Sequence, residues 1–446
     1  MDPVILGYIG LASALGLIFL RVPIAFALGI VGFVGILIIR SGDPGDEFII
    51  QDGWEAAIAF IAFEPFSFIS NFALVAVPMF LLMGYVAFHA GFTRDMYYTA
   101  RVWLSGAAGG LAMASVAGCA MFAAVSGSSI ATAAAMGKLA VPEMLRYKYD
   151  KGLATGVVAA SGTLGALIPP SILMVLYGIF TEQSVGKLLL AGFIPGVLSA
   201  AIYMGMIWVR ATINPQLAPK PESATWGERI VSLKGTWAII LLFLLVMGGI
   251  YLGWFTPTEA AAIGAAGAWV LAFISKRLDR ETTRTTINET VTQVASVFAV
   301  VLGAKIFVAF VGFTDIASDL SEWALSFNLP PIGVLMMLAL VYIVLGTFMD
   351  PLGIMLLTLP VVTPVIEGMG YDLIWFGVIM VKLLEIGLIT PPVGLNVYVL
   401  KGVVGDSVPL ETIFKGILWF LLMDILTLFV LIVFPGLSLW LPSVAF

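Results

Sequence analysis

The stretch Val125-Ser-Gly-Ser-Ser-Ile-Ala-Thr-Ala-Ala-Ala-Met-Gly137 sets four small, polar or flexible residues, Ser126 to Ser129, inside an apolar run from about 107 to 141. A membrane helix gains nothing from such an interruption, because backbone groups in lipid must find partners within their own segment. Length then suggests what the run is. From Ser129 to Pro142 there are about 13 residues, ~20 Å of helix, against a hydrocarbon core of ~30 Å. Basic residues flank both ends, Arg101 before and Arg146 and Lys148 after. The run reads as a re-entrant hairpin that enters and leaves on one side.

The rest of the chain fits a membrane setting. Of 446 residues, 61% are hydrophobic and 11% charged, whereas a soluble chain carries roughly 25% charged residues. Apolar runs long enough to span recur from end to end, at about 4–20, 23–39, 72–90, 152–180, 186–209, 237–253, 257–274, 286–311, 373–400 and 412–438. Threading these puts Arg21, Arg94, Arg101, Arg146, Lys148, Lys151, Arg210, Lys220, Arg229, Lys234, Lys276, Arg277, Arg280, Arg284, Lys401 and Lys415 on one side. The other side has only Arg40 and Lys187 and collects acids, among them Asp2, Asp43, Asp46, Glu47, Asp315, Asp319 and Asp372. Positive charge marks the cytoplasm, so loops 210–236 and 275–285 are expected there and both termini outside. Segments 54–70, 94–105 and 315–327 carry recurrent charges and read as interfacial helices. Met1-Asp2-Pro3 has no basic leader region, one Cys excludes an internal disulfide, and Gly186-Lys187 is followed by Leu188. No nucleotide loop or soft-metal cluster is therefore expected.

A second interrupted region, 331–366, breaks at "LGTFMDPLG" and has acids on both flanks. It reads as a hairpin from the opposite side. The two belong to a repeat. "FHAGFTRDMYYTARVWLSG" at 88–106 matches "FVGFTDIASDLSEWALSF" at 310–327, and "GALIPPSI" at 165–172 matches "GLITPPVG" at 387–394. The hairpin tips are placed at Gly127 and Gly346, and "PIAFALGIVG" resembles "PTEAAAIGAAG". An odd number of spans lies between the Gly-Phe-Thr marks, so the second copy is inverted. Inverted repeats with discontinuous helices meeting near the midplane are the architecture of secondary transporters. Carbonyls freed at the breaks suit a hard cation such as Na⁺, and half-helix N-termini favour an anion.

These motifs, with "SGSSIATAAAMGKLAVPEM", "GTLGALIPPSILMVLYG", "AGFIPGVL" and "GLITPPVGLNVYVLKG", resemble the large membrane subunit of the tripartite ATP-independent periplasmic (TRAP) transporters along essentially the whole chain. The resemblance implies an all-α, elevator-type transporter, not an enzyme, in the bacterial inner membrane. Its expected partners are a small four-helix membrane subunit on a separate chain, a periplasmic substrate-binding protein and the lipid bilayer, with no nucleic acid. Na⁺ influx would drive uptake of a small organic acid, such as a C4-dicarboxylate or sugar acid. One Na⁺ site is carried onto Ser126, Gly127, Ser128, Ser129, Gly165, Pro169, Pro170 and Ser171. The other falls on Gly346, Thr347, Asp350, Thr390, Pro391, Pro392, Gly394 and Asn396. Substrate would sit between the tips, with Ser128, Ser129, Thr347 and Asn396 as candidate contacts. The expected division is a scaffold of 1–90, 186–311 and 401–446 around a moving core of 91–185 and 312–400.

Several residues have plainer readings beside the sharper ones. Asp350 before Pro351 is an ordinary helix start, although a carboxylate at this depth costs ~2.5–3.5 kcal/mol on insertion scales. Lys382 and Glu385, one turn apart, read as an internal ion pair, and Lys305 as a substrate counter-charge or a paired or snorkelling lysine. Lys138 is expected to snorkel, and Gly29, Gly32, Gly35, Cys119 and the alanines at 131–135 to pack closely. His89 reads as a polar helix end; paired with Ser126 it would offer an intramembrane serine protease. A stand-alone Na⁺/dicarboxylate symporter of related fold is the nearer rival.

Overall fold

The computed structural model describes residues 2–42, 49–220, 223–326 and 330–445. Asp43, Asp46 and Glu47, counted above among the acids, lie outside the described residues. The described elements are all helices. Eight are long and apolar enough to cross a membrane: Ile24–Ser41, Phe72–His89, Lys151–Phe180, Val185–Ile213, Pro257–Ile274, Arg280–Gly312, Pro351–Gly368 and Leu410–Val433. A ninth arises if Trp226–Gly235 and Trp237–Tyr251, bent by 55°, count as one. Ten spans were expected. Pro3–Phe19 and Leu373–Ile389 stop at 17 residues each.

The second arm of the first hairpin is longer than expected. The first hairpin is Gly110–Ser126 followed by Ser129–Arg146, and the second is Pro331–Gly346 followed by Pro351–Gly368. Ser129–Arg146 runs straight through Pro142 for 18 residues, ~27 Å rather than ~20 Å. Pro351–Gly368 likewise continues through Pro360 and Pro364. Proline's fixed φ is helical, and it costs the helix only its own N–H bond and a local adjustment. Arm length therefore does not distinguish these segments from spans, and Pro351–Gly368 is one of the eight long helices.

The second tip also moves. Gly346 is the last helical residue of its arm, not the break, which falls at Thr347–Met349. A Cβ on Gly346 would lie 2.7 Å from the Cα of Gly387, so this glycine permits two helices to cross. The caps restore the register: Ser128 and Asp350 start the second arms, 222 residues apart, the same separation as Pro169 and Pro391.

Helices Ile50–Ile69, Phe92–Leu104 and Ile316–Ser326 stand where interfacial segments were expected. Phe92–Leu104 packs along Gly110–Ser126, and Ile316–Ser326 along Pro351–Gly368. Small residues set the closest crossings. Gly32 faces the Ile306 backbone, Gly29 faces Gly303 and Gly35 the Phe310 ring, which joins Ile24–Ser41 to Arg280–Gly312. Gly152 and Gly156 admit Gly416, which draws Leu410–Val433 onto Lys151–Gly162.

Candidate functional site: paired helix breaks around a cavity

The two breaks share a side-chain cap and a tip-to-break hydrogen bond, but the first turns on a left-handed glycine and the second on right-handed Thr347. In the first half, Gly110–Ser126 ends on Gly127, whose φ of 61° is the left-handed conformation that glycine adopts without strain. Ser128 is extended and caps Ser129–Arg146, its Oγ accepting the Ala131 N–H at 3.4 Å. The tip lies on the broken helix behind it: Gly127 O accepts the Ile172 N–H at 3.4 Å, just past the Pro169–Pro170 pair. A side chain at Gly127 would meet Pro170 O at 2.6 Å, and one at Gly165 would meet Ser128 O at 2.5 Å. Ser129 Oγ donates to Thr163 O at 3.3 Å, and Ser171, wholly buried, caps Ile172–Phe180 and donates to Ala166 O. Ser126 Oγ is 2.9 Å from Thr132 Oγ1.

The second half repeats the pattern. Thr347 O accepts the Gly394 N–H at 3.4 Å, just past Pro391–Pro392. Both Pro-Pro bonds are cis. Asp350 caps Pro351–Gly368 with both carboxylate oxygens on the Gly353 N–H, at 3.1 and 3.2 Å. Thr347 Oγ1 and Thr390 Oγ1 donate to Val344 O and Ile386 O of their own helices. Asn396 reaches the other half instead. Its Nδ2 donates to Ala159 O at 3.3 Å, while its buried Oδ1 has no hydrogen-bond partner. An orphaned buried carbonyl is the kind of oxygen that a bound cation satisfies.

A cavity of about 190 Å³ separates the two arms, with Gly127, Ser128 and Ser129 on one wall and Asp350, Pro351 and Leu352 on the other. Gln293, Ser296, Val297 and Val300 of Arg280–Gly312 form a third wall. Two helix N-termini, those of Ser129–Arg146 and Pro351–Gly368, therefore border one space. Ser128, Ile130 and Gln293 also line a second cavity of about 290 Å³ that extends to Lys138 and Glu289. Of the four proposed substrate contacts, Ser128 and Ser129 line the inter-arm cavity; Thr347 and Asn396 line neither.

The remaining candidates are accounted for. His89 Nε2 lies 2.9 Å from Glu289, and Ser126 pairs with Thr132, so the protease constellation is not assembled. Lys305 sits over the rings of Phe68 and Phe180, at 4.6 and 4.9 Å from their centroids, and faces neither cavity. Cys119 is wholly buried. Lys382 pairs with Glu385, as expected, but more closely with Asp424, at 2.6 Å. Sequence reasoning missed Asp424, although a carboxylate in the middle of the apolar "WFLLMDILTLFV" was a signal. It also missed Gln293 and Ser296, polar residues that recur at helical spacing on one face of a span.

Many apolar helices, two matched breaks and a cavity between them define a membrane transport protein. Residues 11–437 match the family model for the tripartite ATP-independent periplasmic transporter, DctM component. The chain is 36% identical over 384 residues to the C4-dicarboxylate TRAP transporter large permease protein of Pseudomonas aeruginosa, covering 86% of this chain and 89% of that one. It is 32% identical to the sialic acid TRAP transporter large permease protein of Vibrio cholerae, with 96% of each chain covered. The ectoine TRAP transporter large permease protein of Halomonas elongata is 29% identical, with 98% of each covered. Among solved structures, the Alcanivorax borkumensis YdaH transporter shares the fold, at a TM-score of 0.64, 15% identity and 98% coverage of both chains. The chain belongs to the TRAP transporter large permease family, and is a multi-pass membrane transport subunit rather than an enzyme.

Proposed function

We propose that this chain imports a small organic acid across the bacterial inner membrane, coupled to Na⁺, by an elevator movement. The observation that carries this reading is the matched pair of tip-to-break hydrogen bonds, Ile172 N–H to Gly127 O and Gly394 N–H to Thr347 O, on either side of one cavity. Interrupted helices leave carbonyls without i+4 partners, which suits one Na⁺ site at Ser126–Ser129 with Gly165, Pro169, Pro170 and Ser171, and another at Gly346, Thr347 and Asp350 with Thr390, Pro391, Pro392, Gly394 and Asn396. An anionic substrate placed between the arms would meet two helix N-termini, each the positive end of its dipole. The relatives' names speak of C4-dicarboxylate, sialic acid and ectoine. These are small acids or zwitterions, and an organic acid is the class that such a cavity favours.

The partners follow from the family: a small membrane subunit and a periplasmic binding protein that delivers the acid. The hairpins are proposed to be re-entrant from opposite faces, with both termini outside. The moving core holds 91–185 and 312–400. The packing of Leu410–Val433 on Lys151–Gly162, and of Val185–Ile213 on Leu373–Ile389, supports adding these two helices to it. The rest forms the scaffold.

The test is uptake into proteoliposomes that hold this chain and its small subunit, with and without an inward Na⁺ gradient and the binding protein. Uptake that needs both supports the tripartite reading. Uptake with Na⁺ alone favours the stand-alone symporter, and indifference to Na⁺ removes the cation from both breaks.

A further inference from the structure

Four side chains that line neither cavity meet in the interior. Lys382 Nζ lies 2.6 Å from Asp424 Oδ1 and 3.5 Å from Glu385 Oε2. Tyr203 donates its hydroxyl to the same Asp424 oxygen at 2.5 Å. All four side chains are wholly buried. They come from three helices, Leu373–Ile389, Leu410–Val433 and Val185–Ile213. Tyr203 on Val185–Ile213 and Asp424 on Leu410–Val433 come from opposite halves of the chain, so the cluster joins the two halves. By the register of the Pro-Pro pairs, Lys382 and Glu385 occupy the places held in the first half by Ala160 and Thr163. The cluster is charged on one side of the repeat alone.

Its charge does not balance with both acids ionised. Two carboxylates against one ammonium leave a net negative charge away from water, and an uncompensated interior charge is costly. The distances distinguish the acids. Asp424 receives two short, charge-assisted donors on Oδ1, from Lys382 and Tyr203. Glu385 has no hydrogen-bond partner on either oxygen, and its nearest cation is the ammonium already committed to Asp424.

We propose that this cluster is a binding site for one proton, held on Glu385. The proton comes from solvent, forms an O–H bond on the Glu385 carboxylate, and leaves Lys382 and Asp424 as a neutralised pair. A Na⁺ ion suits the place poorly. The Lys382 ammonium, 2.6 Å from Asp424 and 3.5 Å from Glu385, already stands where a cation would bridge the two carboxylates and repels one. Among the described residues, the charged or titratable groups that face Glu385 are Lys382 on its own helix, Asp424 on Leu410–Val433 and Tyr203 on Val185–Ile213. On the other helices packed there, Tyr177 bonds to Leu373 O and Tyr342 to Thr358. The site shares no residue with the two breaks, so it stands or falls independently of Na⁺ coupling.

Infrared difference spectroscopy on the full-length chain in lipid nanodiscs, prepared at neutral pH in H₂O and in D₂O, tests the assignment. Wild type minus Glu385→Gln is expected to show the C=O stretch of a protonated carboxyl, shifted down in D₂O. Wild type minus Asp424→Asn is expected to show the same band, because Lys382 without Asp424 draws Glu385 into ionisation. The second difference keeps the test alive should Glu385→Gln fail to assemble. Absence of the band from the differences obtained overturns the proposal. Loss of the band on adding NaCl at constant pH also overturns it, and makes the cluster a cation site.

Discussion

Asp350 is the residue at which the plain and the sharp readings divide most cleanly. Its carboxylate caps Pro351–Gly368 through the Gly353 N–H and at the same time lines the cavity opposite Ser128. Asparagine is as good a cap as aspartate, so Asp350→Asn retains the helix start and removes only the charge. The expected outcome is a chain with a Tm within ~2 °C of wild type and Na⁺-dependent uptake reduced at least ~10-fold, the equivalent of ~1.4 kcal/mol. Thermal unfolding and proteoliposome uptake on one preparation decide it. Unchanged Na⁺-dependent uptake would leave Asp350 as a cap and nothing more. Lys305 shows the opposite case, in which a residue with an open sequence reading proves to lie over the rings of Phe68 and Phe180.

At the scale of elements, glycine decides which helices touch. A Cβ on Gly416 would drive into the carbonyl of Gly152, where Leu410–Val433 crosses Lys151–Gly162. Overfilling such a contact costs ~1–3 kcal/mol, so Gly416→Ala is expected to lower the Tm by several degrees. Gly402→Ala is the matched control: it lies in Leu395–Val404 with nothing within 4 Å of the added Cβ, and alanine's better helix propensity makes it neutral or slightly stabilising. Equal effects from the two would mean that the crossing is not close. The same residue types explain what was legible beforehand. Breaks at Gly127, Pro169–Pro170 and Pro391–Pro392 were readable because Gly and Pro act on their own backbone. The second tip was misplaced at Gly346 because a glycine that admits a neighbouring helix looks the same in sequence as one that turns the chain. The arm end expected at Pro142 was misplaced for a related reason, since proline weakens a helix without always stopping it. The meeting of Lys382, Asp424 and Tyr203 was hidden because it depends on three distant helices, although mid-span Asp424 was visible as an anomaly.

The whole molecule makes an argument that no single break does. The two cavities share Ser128, Ile130 and Gln293 in their walls, and the larger runs along one face of Ser129–Arg146, past Ala131, Ala134 and Ala135, to Lys138. On the proposed orientation, that end of the hairpin, near Arg146 and Lys148, lies in the cytoplasm. The proposal then has the space between the arms open inward in this conformation. The lone Cys119 is wholly buried and supplies little background for thiol labelling. A cysteine at Ala134 is therefore expected to react with a membrane-impermeant maleimide in inside-out vesicles and to stay unlabelled in right-side-out ones. Reaction from outside alone would reverse the orientation of the hairpin and with it both termini. Failure to react from either side would mean that the passage to Ser128 is closed, and the cavity would then have to be an occluded space rather than the cytoplasmic mouth of the transport path.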